Sequence, residues 1–372
     1  MKIQTFQMER WQSEWEHQVD YNLSESGVHA FTLKELLGRE QINILLQTKM
    51  GYIQTDGTLP LKKQICQYYP QSKETNILVT SGSTEANFLL MWYFLEPGDE
   101  AVVMLPNFMQ IPGLMKSFGA HMKTFYLHED LNWKPDIKKL KNLVTKNTKI
   151  IAVTNPNNPT GACLDEPTRQ TLLELADWAD AWLLSDEVYQ GGELDGKTTP
   201  TFWNSYPKTV CVSGFSKAYG LPGLRIGWVV APEELVQKVW PYKDYTTITV
   251  SALSDQLARW VLQSKNREHI LNRGRKIIRE NSQILESWIK QHNDLFSFIP
   301  PQAGAIAFVR YNLGMKATEL AHQIREKKNV LVQPGDQMGM DGYIRVGLGE
   351  KKSYFKKALS LLGEGFKELK EI

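Results

Sequence analysis

Sulfur chemistry is scarce in this chain. Its three cysteines, Cys66, Cys163 and Cys211, are scattered and form no C-x-x-C pair, which argues against a disulfide framework and against structural zinc. The seven histidines include no ligand-spaced pair, so no metal centre is expected. No apolar run approaches the ~20 residues of a membrane helix, and the first ten residues are polar where a signal segment needs an apolar core. Charge of one sign is missing as well. With 43 basic and 41 acidic residues the net charge is +2, a balance that points to no nucleic acid or other polyanion as partner. The basic clusters at 138–141 and 351–352 read as solvated helix faces. The expectation is a cytoplasmic protein with no membrane, nucleic-acid or metal partner.

What is present is a chain of 372 residues, 42% apolar and 23% charged. That is ordinary for a globular protein and more than one core usually fills. There is no internal repeat. From about 76 to 230, short apolar runs alternate with helical patterns. Strands are predicted at 77–80, 101–105, 122–127, 149–154, 181–185, 209–213 and 224–231, with helices including 84–95, 135–145 and 166–179. Such alternation predicts an α/β fold with a large, mostly parallel sheet covered by helices. After Pro232 come helices at 233–242 and 252–293, strands at 305–311 and 342–347, and a last helix from Ser353, a pattern for a smaller α+β domain. The division expected is 1–44 as an N-terminal arm and start of the small domain, 45–250 as the large domain and 251–372 as the C-terminal small domain. An extended arm precedes a helix from Thr32.

Ligands of open parallel sheets gather at the carboxyl ends of the strands, and several polar residues fall there. Lys217 follows a strand and Ser216, with Arg225 eight residues on. An amine beside a prepared anion grip suits a cofactor that carries both an aldehyde and a phosphate. Lys217 would condense with the aldehyde while Ser216 and Arg225 hold the phosphate. The run Ser81-Gly82-Ser83-Thr84-Glu85 opens a helix after a strand, so its backbone N–H groups and dipole favour an anion. Ser83 and Thr84 are placed on the phosphate, although the same residues equally describe an N-cap. Asp186 ends an apolar strand; a buried carboxylate needs a cation, and a protonated pyridine nitrogen would be one. Asn158 lies in the turn after strand 149–154 and can donate its amide to a ring oxygen.

These motifs resemble those of fold-type I pyridoxal-phosphate (PLP) enzymes, the aminotransferase class I/II family. The likeness runs over about 45–350, with the motifs in order. It implies PLP as cofactor and Phe108 as the aromatic stacked on its ring. Tyr189 would bond the ring oxygen with Asn158, and Arg345 would fork the substrate α-carboxylate beside the Gly27 backbone. Tyr52 would reach the phosphate from a neighbouring subunit, making the enzyme a homodimer with shared sites. The implied reaction moves an amino group between an L-amino acid and a 2-oxo acid. Lys217, Asp186 and Tyr189 are then the catalytic set, and the Lys217 amine is expected to have a pKa lowered by cationic neighbours. A secondary likeness, at 22–29 and 217–228, is to capreomycidine synthase, an arginine-handling member. The same parts could therefore serve a carbon–sulfur lyase or an arginine oxidase/cyclase. No second arginine marks a dicarboxylate site.

Gly191 to Thr198 also fits the phosphate-loop pattern G-x-x-x-x-G-K-[ST]. An NTPase is the remote alternative, weakened by the residues between strand and first glycine and by Pro200 where a helix should start.

Overall fold

The computed structural model describes residues 3–371. Eight strands form the large sheet: β1 (Ile77–Thr80), β2 (Glu100–Leu105), β3 (His121–His128), β4 (Lys134–Pro135), β5 (Thr148–Thr154), β6 (Trp182–Asp186), β7 (Thr209–Gly214) and β8 (Gly227–Val230). Their order is β1-β8-β7-β6-β5-β2-β3-β4. Pairing is parallel from β7 through β6, β5 and β2 to β3. It is antiparallel at β8, which pairs with both β1 and β7, and at β4. The central strands carry unbroken apolar runs because helices cover both faces. One core cluster gathers side chains such as Val102, Ile151 and Leu183, and the other gathers Val103, Ala152 and Leu184. Alternate residues of a strand thus feed opposite layers, as the period of two requires.

A second sheet has the order β9-β10-β12-β11, with β9 (Phe296–Phe298), β10 (Ile306–Tyr311), β11 (Gln333–Pro334) and β12 (Tyr343–Gly347), all antiparallel. Its own cluster includes Ile344, Val346, Phe355 and Leu362. Leu257, Ala258 and Leu271, by contrast, pack in the large-sheet core, so the division between cores falls inside the long helical stretch.

The sequence reading holds closely for helix Glu166–Ala179, which Asp165 caps and Asp180 ends in the left-handed region. It needs correction in four places. The strand expected from 224 begins only at Gly227: Pro222–Leu224 form a 3₁₀ turn and Arg225 is left-handed (φ 49°). The helix expected over 252–293 is two, Ala252–Val261 and Ser264–Gln291. Between them Gln263 is extended, and Asn266 Nδ2 bonds Trp260 O at 2.9 Å, closing the corner. The N-terminal arm contains a helix, α1 (Gln7–Trp15), whose Met8 and Trp11 are buried; Trp11 Nε1 donates to Val332 O at 2.9 Å. From Thr32, whose hydroxyl and Glu35 form a capping box, the helix lasts only Leu33–Leu36 before a second, Arg39–Leu46.

Among the described residues no helix is long and apolar enough to cross a membrane. No cluster of three or more His, Cys, Asp or Glu side chains there is arranged to hold a metal ion.

Candidate active site

Asp186 at the carboxyl end of β6 feels the charge of Lys217, and Gly214 at the end of β7 packs against Ser83 at the start of helix α2 (Gly82–Phe94). Asp186 is the last residue of β6, paired in register with Thr154 of β5 and Val212 of β7. It is 5% exposed. Asn87 Nδ2 donates to its Oδ2 at 3.1 Å and Val188 N to its Oδ1 at 3.2 Å. Burial outweighs those bonds and lifts its pKa to about 6. Among the described residues no cation contacts this carboxylate, a costly state that a cationic ligand would relieve.

Asn158 and Arg345 are buried together. Arg345 Nη1 donates to Asn158 Oδ1 at 3.0 Å, and Nη2 donates to Ser24 O. Because Oδ1 is thus engaged, the amide nitrogen of Asn158 is left to donate elsewhere. Arg345 Nε and the Tyr189 hydroxyl are buried with no hydrogen-bond partner among the described residues. Read from residue type alone, Arg345 would be a strand-edge surface residue; it is fully buried because β12 is an interior strand.

At the other end of the site, Arg225 lies over the first turn of α2. A β-carbon on Gly82 would fall 2.5 Å from its Nη2, so glycine is required for this approach, and its φ of 78° suits glycine as well. Ser83 is half-buried and Thr84 exposed on the same turn, while Ser216 is half-buried beside Lys217. Unpaired helix-start N–H groups under a guanidinium make an anion cup. Ser81 makes no side-chain cap; Glu85 reaches back to the Ser81 N–H instead. Behind the cup, Gly227 touches the α2 backbone. A β-carbon there would collide with Ser83 N and lie 2.5 Å from Gly82 C. Gly227→Ala is expected to cost about 1–3 kcal/mol of stability through overpacking and to weaken anion retention. Thermal melts with and without added PLP read both effects, and a variant with unchanged melting and retention would contradict the close packing.

Phe108 is partly exposed, with Phe6 edge-on at 5.1 Å. Asn107 fixes its backbone by accepting from Phe108 N at 2.7 Å and from Thr154 Oγ1 at 2.8 Å. Gly27 passes the lysine turn closely, its β-position 3.2 Å from Ser216 O. Tyr52, the expected phosphate partner, is 86% exposed and makes no side-chain hydrogen bond to any described residue.

Two side chains escape the sequence reading. Asn87 supports Asp186, and its place four residues after Ser83 on α2, on the same helix face, is the signal that could have found it. Glu25 is the other: Lys217 Nζ donates to its Oε1 at 3.1 Å. This contact corrects the expected lysine pKa. Burial disfavours the ammonium, but Glu25 and Tyr189 outweigh burial and the pKa is raised. Glu25 in turn is held at about 2 by the lysine charge.

The Gly-rich stretch 191–198 is no phosphate loop. Glu193 is buried and its carboxylate takes the N–H groups of Gly191 and Thr199, both within 2.9 Å, and no helix follows.

The family described as aminotransferase class I and II matches residues 22–362. The chain belongs to that family. A solved PLP-dependent aminotransferase from Streptococcus suis 89-1591 is 32% identical, covers 99% of both chains and superposes with a TM-score of 0.93. A solved PLP-dependent cyclase, OrfR, is 25% identical over 100% of this chain and 98% of its own (TM-score 0.89). Among curated relatives, capreomycidine synthase of Streptomyces vinaceus is 27% identical over 96% of this chain and 92% of its own. Aspartate aminotransferase of Pyrococcus horikoshii is 26% identical over 83% and 81%.

The protein is thus a PLP-dependent aminotransferase of fold type I. Its residues fit that cofactor: a buried carboxylate wanting a cation, a buried phenol with no partner among the described residues, and a helix start under a guanidinium that suits an anion.

Proposed function

We propose that this enzyme transfers the amino group of an L-amino acid to a 2-oxo acid at the site centred on Lys217. The observation that carries the reading is the meeting of Lys217, buried Asp186 and the Arg225-capped helix start at the ends of neighbouring strands. Ser83, Thr84, Ser216 and Arg225 would hold the phosphate, and Phe108 would stack on the ring. Asp186, steadied by Asn87, would keep a proton on the ring nitrogen, while Asn158 and Tyr189 would donate to the ring oxygen. When bound, the cofactor supplies the electron sink that makes the substrate Cα–H acidic.

The chain's own groups do the rest. Arg345 pairs with the substrate α-carboxylate through its planar fork, with Asn158 and the Ser24 carbonyl fixing its plane. The Gly27 backbone borders that carboxylate. Lys217 Nζ takes the proton from Cα and returns it, so a fraction of it must be neutral. In the protein alone Glu25 favours the ammonium, so loss of that contact is part of activation. Incubating the enzyme with PLP and a panel of amino acids should bleach the visible absorbance and release 2-oxo acid with a suitable acceptor. Ammonia or sulfide release without transfer would favour a lyase instead.

A homodimer with shared sites completes the reading. Tyr52 is 86% exposed, and Leu46, Met50 and Tyr245 are 72–83% exposed, large side chains that a partner subunit would cover. Tyr52 of one subunit would reach the phosphate in the other. Light scattering should give twice the chain mass, and a monomer of full activity would end this part. The free thiols Cys66, Cys163 and Cys211 suit the reducing cytoplasm in which we place the enzyme.

A further inference from the structure

The site contains a carboxylate that amino transfer does not require. Glu25 Oε1 accepts from the N–H groups of Ser26 and Gly27, each at 2.8 Å, and from Lys217 Nζ at 3.1 Å. Its other oxygen, Oε2, accepts no hydrogen bond from any described residue, and the side chain is 42% exposed. Two backbone donors thus fix the carboxylate while one oxygen stays open to the cleft.

Its electrostatic setting is lopsided. Lys217 is its one ion-pair partner among the described residues. The nearby Arg345 is committed to Asn158 and the Ser24 carbonyl, and to the substrate carboxylate in the reading above. Once Lys217 is joined to the cofactor, Glu25 is left without a dedicated cation. Other acids lie on the same side. Burial raises the pKa of Glu16, with Glu25 and Glu9 adding to the rise against His17 and Lys217. Burial likewise raises Glu350, with Glu25 contributing against Lys351. The unpartnered Tyr189 hydroxyl, 2% exposed, and Arg345 Nε border the same space and mark it as a place built for a ligand.

We propose that Glu25 is a specificity residue that selects amino-acid substrates whose side chain carries a cation, an ammonium or a guanidinium. The proposal rests on the assignment of Lys217 and Arg345 given above. Arg345 takes the α-carboxylate, and the side-chain cation replaces the lysine ammonium on Glu25. A second substrate carboxylate would meet like charge from Glu25, Glu16 and Glu9. A neutral side chain would leave the Glu25 carboxylate unpaired. This acid is on the wall of the cleft and touches the reacting amine, so the discrimination occurs where the chemistry does.

The test compares 2,3-diaminopropionate, ornithine, lysine and arginine with alanine, leucine and glutamate on PLP-loaded enzyme. Wild type should favour at least one cationic substrate over every neutral one by about tenfold or more in kcat/KM, a difference of ~1.4 kcal/mol, and the series reads which length and head group fit. E25Q keeps an oxygen for the Ser26 and Gly27 N–H groups but removes the charge. It should collapse the cationic-to-neutral ratio by about tenfold, chiefly through KM. Calorimetry gives a reading without turnover: wild type should bind 5-guanidinopentanoate or 5-aminopentanoate more tightly than pentanoate, and adipate least. A wild type that prefers neutral or acidic substrates would overturn the proposal. So would E25Q lowering all substrates equally, which is what a merely structural role would give. If visible absorbance and neutral turnover are normal while the preference is absent, the substrate proposal alone fails. If no absorbance forms, the function reading itself fails and this proposal with it.

Discussion

Replacing Lys217 with alanine will give a folded protein that lacks the visible band produced when the lysine joins PLP and turns over about a thousandfold or more slowly, as expected when the proton-shuttling group is lost. The fold should survive because the side chain makes a single described hydrogen bond, the one to Glu25. Cofactor phosphate should still be retained, since Arg225 and the start of α2 are untouched. Absorbance spectroscopy and equilibrium dialysis separate the two effects. A coloured, active variant would move the reactive amine to another lysine. The variant should also free Glu25, whose low pKa depends first on that lysine, so the Glu25 carboxyl should titrate closer to the ordinary carboxylate range.

Asp186→Asn should lower turnover by roughly a hundredfold or more, the scale seen when a preorganised charge is removed from a buried site. It carries a second signature in stability. The folded-state pKa of Asp186, about 6, is above the unfolded value of 3.8. The folded protein therefore binds this proton more tightly, and the stabilisation is fully present below the unfolded pKa. It is lost as pH rises through the folded one. For cofactor-free protein, the wild-type-minus-variant difference in unfolding free energy should fall by ~2 kcal/mol between about pH 4 and pH 7. Denaturant titrations across that range check the sign. A flat difference would mean the carboxylate is not desolvated, and its partnership with a ring nitrogen would lose its physical basis.

The sequence carried much of the large sheet because its signals are local. Unbroken apolar runs mark strands buried on both faces, and Asp165 with Pro167 marks the start of a helix. The candidate site residues at strand ends were legible for the same reason: Asp186 and Lys217 each follow an apolar run, and Arg225 stands eight residues after Lys217. What was not legible depends on contacts distant in sequence. Glu25 meets Lys217 across 192 positions, and Asn87 meets Asp186 across 99. The lysine pKa was misread for that reason alone, since the acid that sets it is invisible in the lysine motif. Helix α1 was missed because its apolar face is narrow, and Trp11 finds its partner only when residues 330–332 pack beside it. The turn before Gly227 was misread as strand because Leu224 and Ile226 are apolar there, although Arg225 must turn left-handed to cover Gly82.

The most direct measurement is chemical. Enzyme loaded with PLP, reduced with borohydride, digested and mapped by mass spectrometry should carry the pyridoxyl mass on the peptide containing Lys217. The label on any other lysine, or on none, would contradict the assignment on which the site rests.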